Sequence, residues 1–145
     1  MATADAQRAA SLFAAMGLIA PMRLVVIPGK PPVKARPQFS RRGHTYAKPE
    51  DRTAEARTAW HLKAVVHQPL TSNVGMVCVF YRPDRRVADN DNMLKHVCDS
   101  ANGVLWRDDS QCTALAGFIE LDRTTPRTVI VIGGHDSTLV RAVAS

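Results

Sequence analysis

Long apolar runs are missing from this 145-residue chain. None approaches the roughly 20 residues that a membrane-spanning helix needs, so contact with a membrane would require a basic amphipathic helix lying on its surface. The N-terminal stretch is not one: Asp5 precedes Arg8, and the basic-then-apolar order of a secretory signal is absent. Cysteine is scarce and odd in number. Cys78, Cys98 and Cys112 stand far apart in apolar segments, which speaks against a disulfide framework and a zinc site and suits small buried side chains in a reducing compartment. Gly and Pro together make up 17 residues, too few for collagen or low complexity. The glycines also lack phosphate-loop spacing, since Pro28-Gly29-Lys30 stands alone. Acidic charge is the minority, with 13 Asp and Glu against 19 Lys and Arg. The resulting +6 favours a polyanionic partner, nucleic acid or an acidic membrane face.

What is present is a 46% apolar chain of ordinary composition, enough for one globular domain and too short for two. Residues 3–16 read as an Ala-rich helix, with Ala6, Ala9, Ala10 and Phe13 at helical spacing and Gly17 as a stop. A strand follows over Arg23–Ile27. The Pro- and Gly-punctuated stretch from Pro28 to Tyr46 reads as an ordered loop or loose hairpin. Positive charge concentrates here: Arg23 to Lys63 holds ten Lys or Arg against three carboxylates, while the rest of the chain nets −1. Pro49-Glu50-Asp51 opens a second helix with Ala56, Ala59, Trp60 and Ala64 on its apolar face. Trp60 and Trp106 are both expected in the core. Val74–Tyr81 has the β-branched and aromatic profile of a strand buried on both faces. A third helix begins at Asp91 or Asn92, with Leu94, Val97, Cys98 and Ala101 facing inward, and stops at Asn102-Gly103. Strands over Gln111–Leu121 and Thr128–Ile132 complete the sheet.

Carboxylates gather in one region of this basic chain: Asp84, Asp89, Asp91, Asp99, Asp108 and Asp109. Bare carboxylates repel a polyanion and raise one another's ionisation cost, and a hard divalent cation removes both difficulties. Mg²⁺ takes oxygen ligands, often one or two carboxylates with substrate phosphate. Asp89 and Asp91, two apart in an extended stretch, point the same way just ahead of a helix N-terminus. Asp108 or Asp109 can add a third ligand. Lys95, one turn after Asp91, aims an ammonium at the same place, where it can stabilise phosphoryl charge or orient a reacting oxygen. The same residues also fit a plainer arrangement: an Asp91-Lys95-Asp99 surface ladder, an Asx-rich turn over residues 89–92 and a second turn at 108–109. A calcium-binding EF-hand does not fit, because Met93 and Leu94 occupy the positions of an oxygen ligand and a glycine.

Asp89-x-Asp91-Asn92-x-x-Lys95, followed by Asp99, Gly103 and Asp108-Asp109-Ser110-Gln111, resembles the signature of the RusA family of Holliday-junction resolvases, many of them phage- or prophage-encoded. Arg82-Pro83-Asp84, Gly29-x-Pro31-Pro32 and Pro126-Arg127 also match. The resemblance implies a homodimeric, Mg²⁺-dependent endonuclease, with Mn²⁺ an expected substitute, that nicks four-way DNA junctions symmetrically. It implies a compact α/β (α+β) fold: a single domain with a small mixed sheet and flanking helices. The boundaries expected are a helical extension over residues 1–21, a RusA-like nuclease domain over 22–133 and a tail over 134–145. Asp89, Asp91 and Asp109 become metal-binding, catalytic carboxylates, Asp108 a supporting ligand and Lys95 the catalytic lysine. Gly117-Phe118-Ile119-Glu120 lacks the basic residue that family members often carry there.

The basic residues expected on DNA are Lys30, Lys34, Arg41, Arg42 and Lys48, with Arg85 and Arg86 flanking the acidic cluster. His44 and Tyr46 can stack or hydrogen-bond at a junction. Neither a membrane nor a small-molecule cofactor is expected, and the expected compartment is the bacterial cytoplasm. Two other functions fit the same residues, a Mg²⁺ nuclease acting on flaps or other branched DNA and a non-catalytic nucleic-acid-binding protein.

Overall fold

A computed structural model describes residues 2–34, 38–39, 43, 45–46 and 49–139. The elements run α1 (Ala2–Ala15), β1 (Ile19–Pro28), β2 (Gln38–Phe39), β3 (Thr45–Tyr46), α2 (Pro49–Lys63), β4 (Val74–Arg82), α3 (Asn90–Ala101), a 3₁₀ turn (Asp109–Gln111), β5 (Cys112–Leu121) and β6 (Arg127–Gly134). Four strands form one mixed sheet in the order β1-β6-β4-β5, and β2 pairs with β3 in a small hairpin. β4 and β5 are parallel, joined through α3; the β1–β6 and β6–β4 pairs are antiparallel. This is the single α+β domain expected from the sequence.

Side chains alternate across each strand, so a central strand with helices on both sides must be apolar throughout. β4 is buried along nearly its whole length. On one face Met76, Cys78 and Phe80 join Val25, Ile27, Ile130 and Ile132 under α2 and α3, which contribute Leu62, Met93, Val97 and Ala101. On the other, Val77, Val79, Val129 and Val131 meet Ala9, Leu12 and Phe13 of α1 and Met16 just after it. Gly133 makes the close fit of α1 possible, since a Cβ there would lie 2.4 Å from Phe13 Cε2.

The N-terminal helix is thus one layer of the domain rather than an appendage beside it. Its fastening is electrostatic as well as apolar. Arg127, at the start of β6, donates two hydrogen bonds to Asp5 of α1, at 3.0 and 2.8 Å, and others to Asp122 and the Thr125 carbonyl. Its guanidinium carbon lies 3.8 Å from the Tyr81 ring centroid. The Asp5 and Arg127 side chains are 3% and 7% exposed, so each would be a costly orphan alone. The acid partners hold the Arg127 pKa above its usual value.

Two inward faces differ from expectation. Trp106 is fully buried, but Trp60 is 68% exposed, and α2 instead turns Thr58 and Leu62 inward. Thr58 lies 2.9 Å from His96 Nε2 of α3. That polar contact sets the α2–α3 interface, so the buried stripe of α3 runs through Met93, His96, Val97, Ser100 and Ala101, with Leu94 and Cys98 only partly covered. Residues 135–139 stay tied to the sheet: His135 N–H donates to the Asn73 carbonyl, and Asn73 Nδ2 to the Leu139 carbonyl.

Asp5→Ala leaves Arg127 buried with half its partners gone. Urea unfolding should show a loss of about 3–5 kcal/mol, together with faster proteolysis within α1; a loss below about 1 kcal/mol would show that the pair is not what fastens the helix.

Candidate functional site

The acidic residues fall on two neighbouring elements. Asp89 is the N-cap of α3 in extended conformation, and Asp91 lies in its first turn. Asp108 and Asp109 open the 3₁₀ turn that leads into β5. Asp89, Asp91, Lys95, Asp108 and Asp109 are all exposed. α3 and the 3₁₀ turn are in contact, and charges on both act on the thiols beneath them. Burial, with the charges of Asp99 and Asp109 and against that of Lys95, pushes Cys98 up to about 11. Burial, with Cys98 and Asp109 and against the hydrogen bond to the Ala114 carbonyl, lifts Cys112 to about 12. The charges of Lys95 and Asp109 thus both act on the partly buried Cys98 thiol.

Asn90 and Gln111 anchor this arrangement. Asn90 Nδ2 donates to the Gly117 carbonyl of β5 at 2.8 Å, and its buried Oδ1 has no partner among the described residues. Gly117 admits it: a Cβ there would stand 2.4 Å from Asn90 Oδ1 and 3.0 Å from Leu94. Gln111, fully buried, accepts from the Arg107 and Asp108 N–H groups at 2.9 and 3.2 Å and donates to the Leu70 and Ser72 carbonyls at 2.7 and 3.2 Å. Neither residue stood out as a support in the sequence. A Gln immediately after Asp-Asp-Ser at a strand start was the one available signal. Within the turn, Asp108 accepts the Ser110 hydroxyl, whereas Asp109 forms no ion pair among the described residues.

The surface-ladder alternative fails here. Lys95 pairs with neither Asp91 nor Asp99; Asp99 is paired with Lys34, which also reaches Glu55 of α2 at 3.2 Å. Lys34 was expected on DNA, but its side chain is only 18% exposed and braces α2 against α3. Burial works against its charge, yet the bonds to Asp99 and Glu55 outweigh that and raise its pKa. Lys30, Arg85 and Arg86 are exposed. Asp84 accepts the Arg86 N–H at 3.0 Å. That bond, with the charges of Lys30, Arg86 and Arg82, lowers its pKa. A cleft of about 210 Å³ lies beside them, bordered by Arg82, Arg85, Arg86 and the end of β5. Arg41, Arg42, His44 and Lys48 lie outside the described residues, as does the Tyr46 side chain.

The donor set suits a hard cation. Asp89, Asp91 and Asp109 supply carboxylate oxygen, exposed and without ion pairs among the described residues. No three Asp, Glu, His or Cys of the described residues are gathered into a ready-made cage. Mg²⁺ does not require one, since it keeps several waters and uses one or two carboxylates with substrate oxygens.

Behind the site, His96 is 2% exposed at the α2–α3 contact. Burial lowers its pKa from 6.5, Lys34 lowers it further, and Glu55, Asp51 and Asp99 oppose them. The unfolded chain therefore takes up this proton first. The stability that a neutral His96 contributes is complete above pH of about 6.5 and is lost as the pH falls below it. Thermal melts between pH 7.5 and 5.5 should show a declining midpoint for the unsubstituted protein and a flatter dependence for His96→Asn. Parallel curves would contradict the assignment.

A search of curated proteins finds no match to the chain. The family model for endodeoxyribonuclease RusA matches residues 28–133, well over half of the chain and every residue of the acidic site. It starts at the end of β1, so the match leaves out α1. The chain belongs to the RusA family of Holliday-junction-cutting endodeoxyribonucleases.

Proposed function

We propose that this chain cuts four-way DNA junctions by Mg²⁺-dependent phosphodiester hydrolysis, with Mn²⁺ able to substitute, making paired and symmetric nicks as a homodimer in the bacterial cytoplasm. One observation carries the reading: Asp89, Asp91 and Asp109 present carboxylates to solvent beside an unpaired Lys95 and the exposed Lys30, Arg85 and Arg86. Asp89, Asp91 and Asp109 hold the ion, with Asp108 in support. Bound Mg²⁺ supplies Lewis-acid stabilisation of phosphoryl charge and lowers the pKa of water. The protein's part is positioning and charge. Lys30, Arg85 and Arg86 draw the strand in, and the first N–H groups of α3 suit a phosphate oxygen. Lys95 stabilises charge that develops on the phosphoryl group or the leaving oxygen.

Dimerisation is supported by β5. It is an edge strand ten residues long, with Leu115, Phe118, Ile119 and Leu121 each about 40% exposed. An apolar edge left open invites pairing. A two-fold partner across it would set two acidic sites on opposed strands of a junction, whose own symmetry is two-fold.

Cleavage of labelled junction, flap and linear duplex, with Mg²⁺ or EDTA, tests the chemistry. Ligatable paired nicks on the junction are expected, with Asp91→Asn and Lys95→Ala each reducing the rate by roughly 10²-fold or more. Activity that survives EDTA and both substitutions would remove the metal assignment, and preference for the flap would redirect the substrate. Ile119→Lys should yield monomers in sedimentation that bind junctions yet fail to make paired cuts. A dimer that persists would move the interface elsewhere.

A further inference from the structure

The outer face of α2 carries an aromatic ring that neither the core nor the acidic site uses. Trp60 is 68% exposed, whereas Trp106 is fully buried and donates its indole N–H to Asn102. His61 meets Trp60 edge-on, the ring centroids 5.0 Å apart and the planes at 89°, leaving most of the indole in water. Arg52, Arg57 and Lys63 are exposed basic residues of the same helix. The acids of α2 lie elsewhere: Glu50 and Asp51 in the first turn, and Glu55 paired with Lys34.

Positive groups extend from this face of α2 toward the loop after β1. Arg57 donates to the Pro28 carbonyl at 2.6 Å, and its guanidinium nitrogens lie 3.5 Å from where a Cβ on Gly29 would be. Next along the chain is Lys30, whose charge reaches Asp84 together with that of Arg86. Arg57 thus ties the helix that carries Trp60 and Lys63 to the loop that carries Lys30. An aromatic face set among cations is complementary to single-stranded nucleic acid, because phosphates meet the charges while any base can stack on the ring. Paired DNA hides its base faces, and a branch point is where bases leave the stack most cheaply.

We propose that Trp60 is a stacking platform for an unpaired base of branched DNA, with Arg57 and Lys63 holding the neighbouring phosphates. The assignment rests on the DNA-cutting reading and adds to it a means of telling branched from linear DNA.

Equilibrium binding of the full chain to a labelled four-way junction and to a linear duplex, in EDTA and an Asp91→Asn background, tests it. Trp60→Ala should weaken junction binding by about 5- to 100-fold and leave duplex binding within about two-fold, while Trp60→Phe restores most of the loss. Lys63→Gln should reduce the log–log salt slope by about 0.9 on duplex. Indole emission should be quenched by the junction, and Trp60→Phe should abolish the quenching, because Trp106 is sealed in the core. Equal junction affinity for Trp60→Ala and its parent overturns the inference, as does an equal loss on both DNAs without rescue by Phe. A change in oligomeric state with DNA binding intact would instead assign the ring to a second copy and overturn it too. If the parent binds neither DNA, the cleavage reading falls as well. A protein that cuts junctions yet is indifferent to Trp60 sinks this inference alone.

Discussion

Like charges held on one surface repel, and this protein exposes Asp89, Asp91 and Asp109 on two contacting elements with no ion pair among the described residues to relieve them. Much of the surrounding structure reads as the means of tolerating that arrangement. Gln111 clamps the 3₁₀ turn to the chain before β4, and Asn90 clamps the start of α3 to β5. Lys34 takes up Asp99 and Glu55, so the acids that could have neutralised Lys95 or been neutralised by it are removed from the site. What remains is a set of exposed carboxylates and a lysine with no ion pair among the described residues, an arrangement that favours a cation as partner.

The sheet makes the site rigid by being covered twice. α2 and α3 close one face, α1 the other, and β4 carries apolar side chains to both. A free-standing α1 would leave Val77, Val79, Val129 and Val131 in water. The Asp5–Arg127 pair therefore joins a helix outside the family match to the first residue of a strand within it. In this chain α1 covers the second face of the sheet.

Features set by local pattern were legible in the sequence. The β-branched run of β4, the helix over Asn90–Ala101 and the spacing of Asp89, Asp91 and Lys95 were visible because neighbours in the chain decide them. The illegible features depend on partners far apart. Lys34 reads as a DNA contact until Asp99, 65 residues on, is seen to claim it. Trp60 reads as core until Thr58 is found facing His96, 38 residues away, which turns the helix about its axis. The docking of α1 depends on Asp5 finding Arg127 at a separation of 122 residues. Gln111 is a similar case, a polar residue whose burial makes sense only when all four of its hydrogen bonds are in view.

In the function proposed above, cations lie at the rim, carboxylates at the centre, and the apolar edge of β5 receives a second copy. The central claim is that the carboxylates of α3 and of the 3₁₀ turn act on the same ion. Calorimetric titration of Mn²⁺ into the full chain measures this directly. Binding should weaken by at least ten-fold in both Asp91→Asn and Asp109→Asn, with the double substitution little worse than either alone. Undiminished affinity in Asp109→Asn, or losses that simply add, would show that the two elements do not share a site.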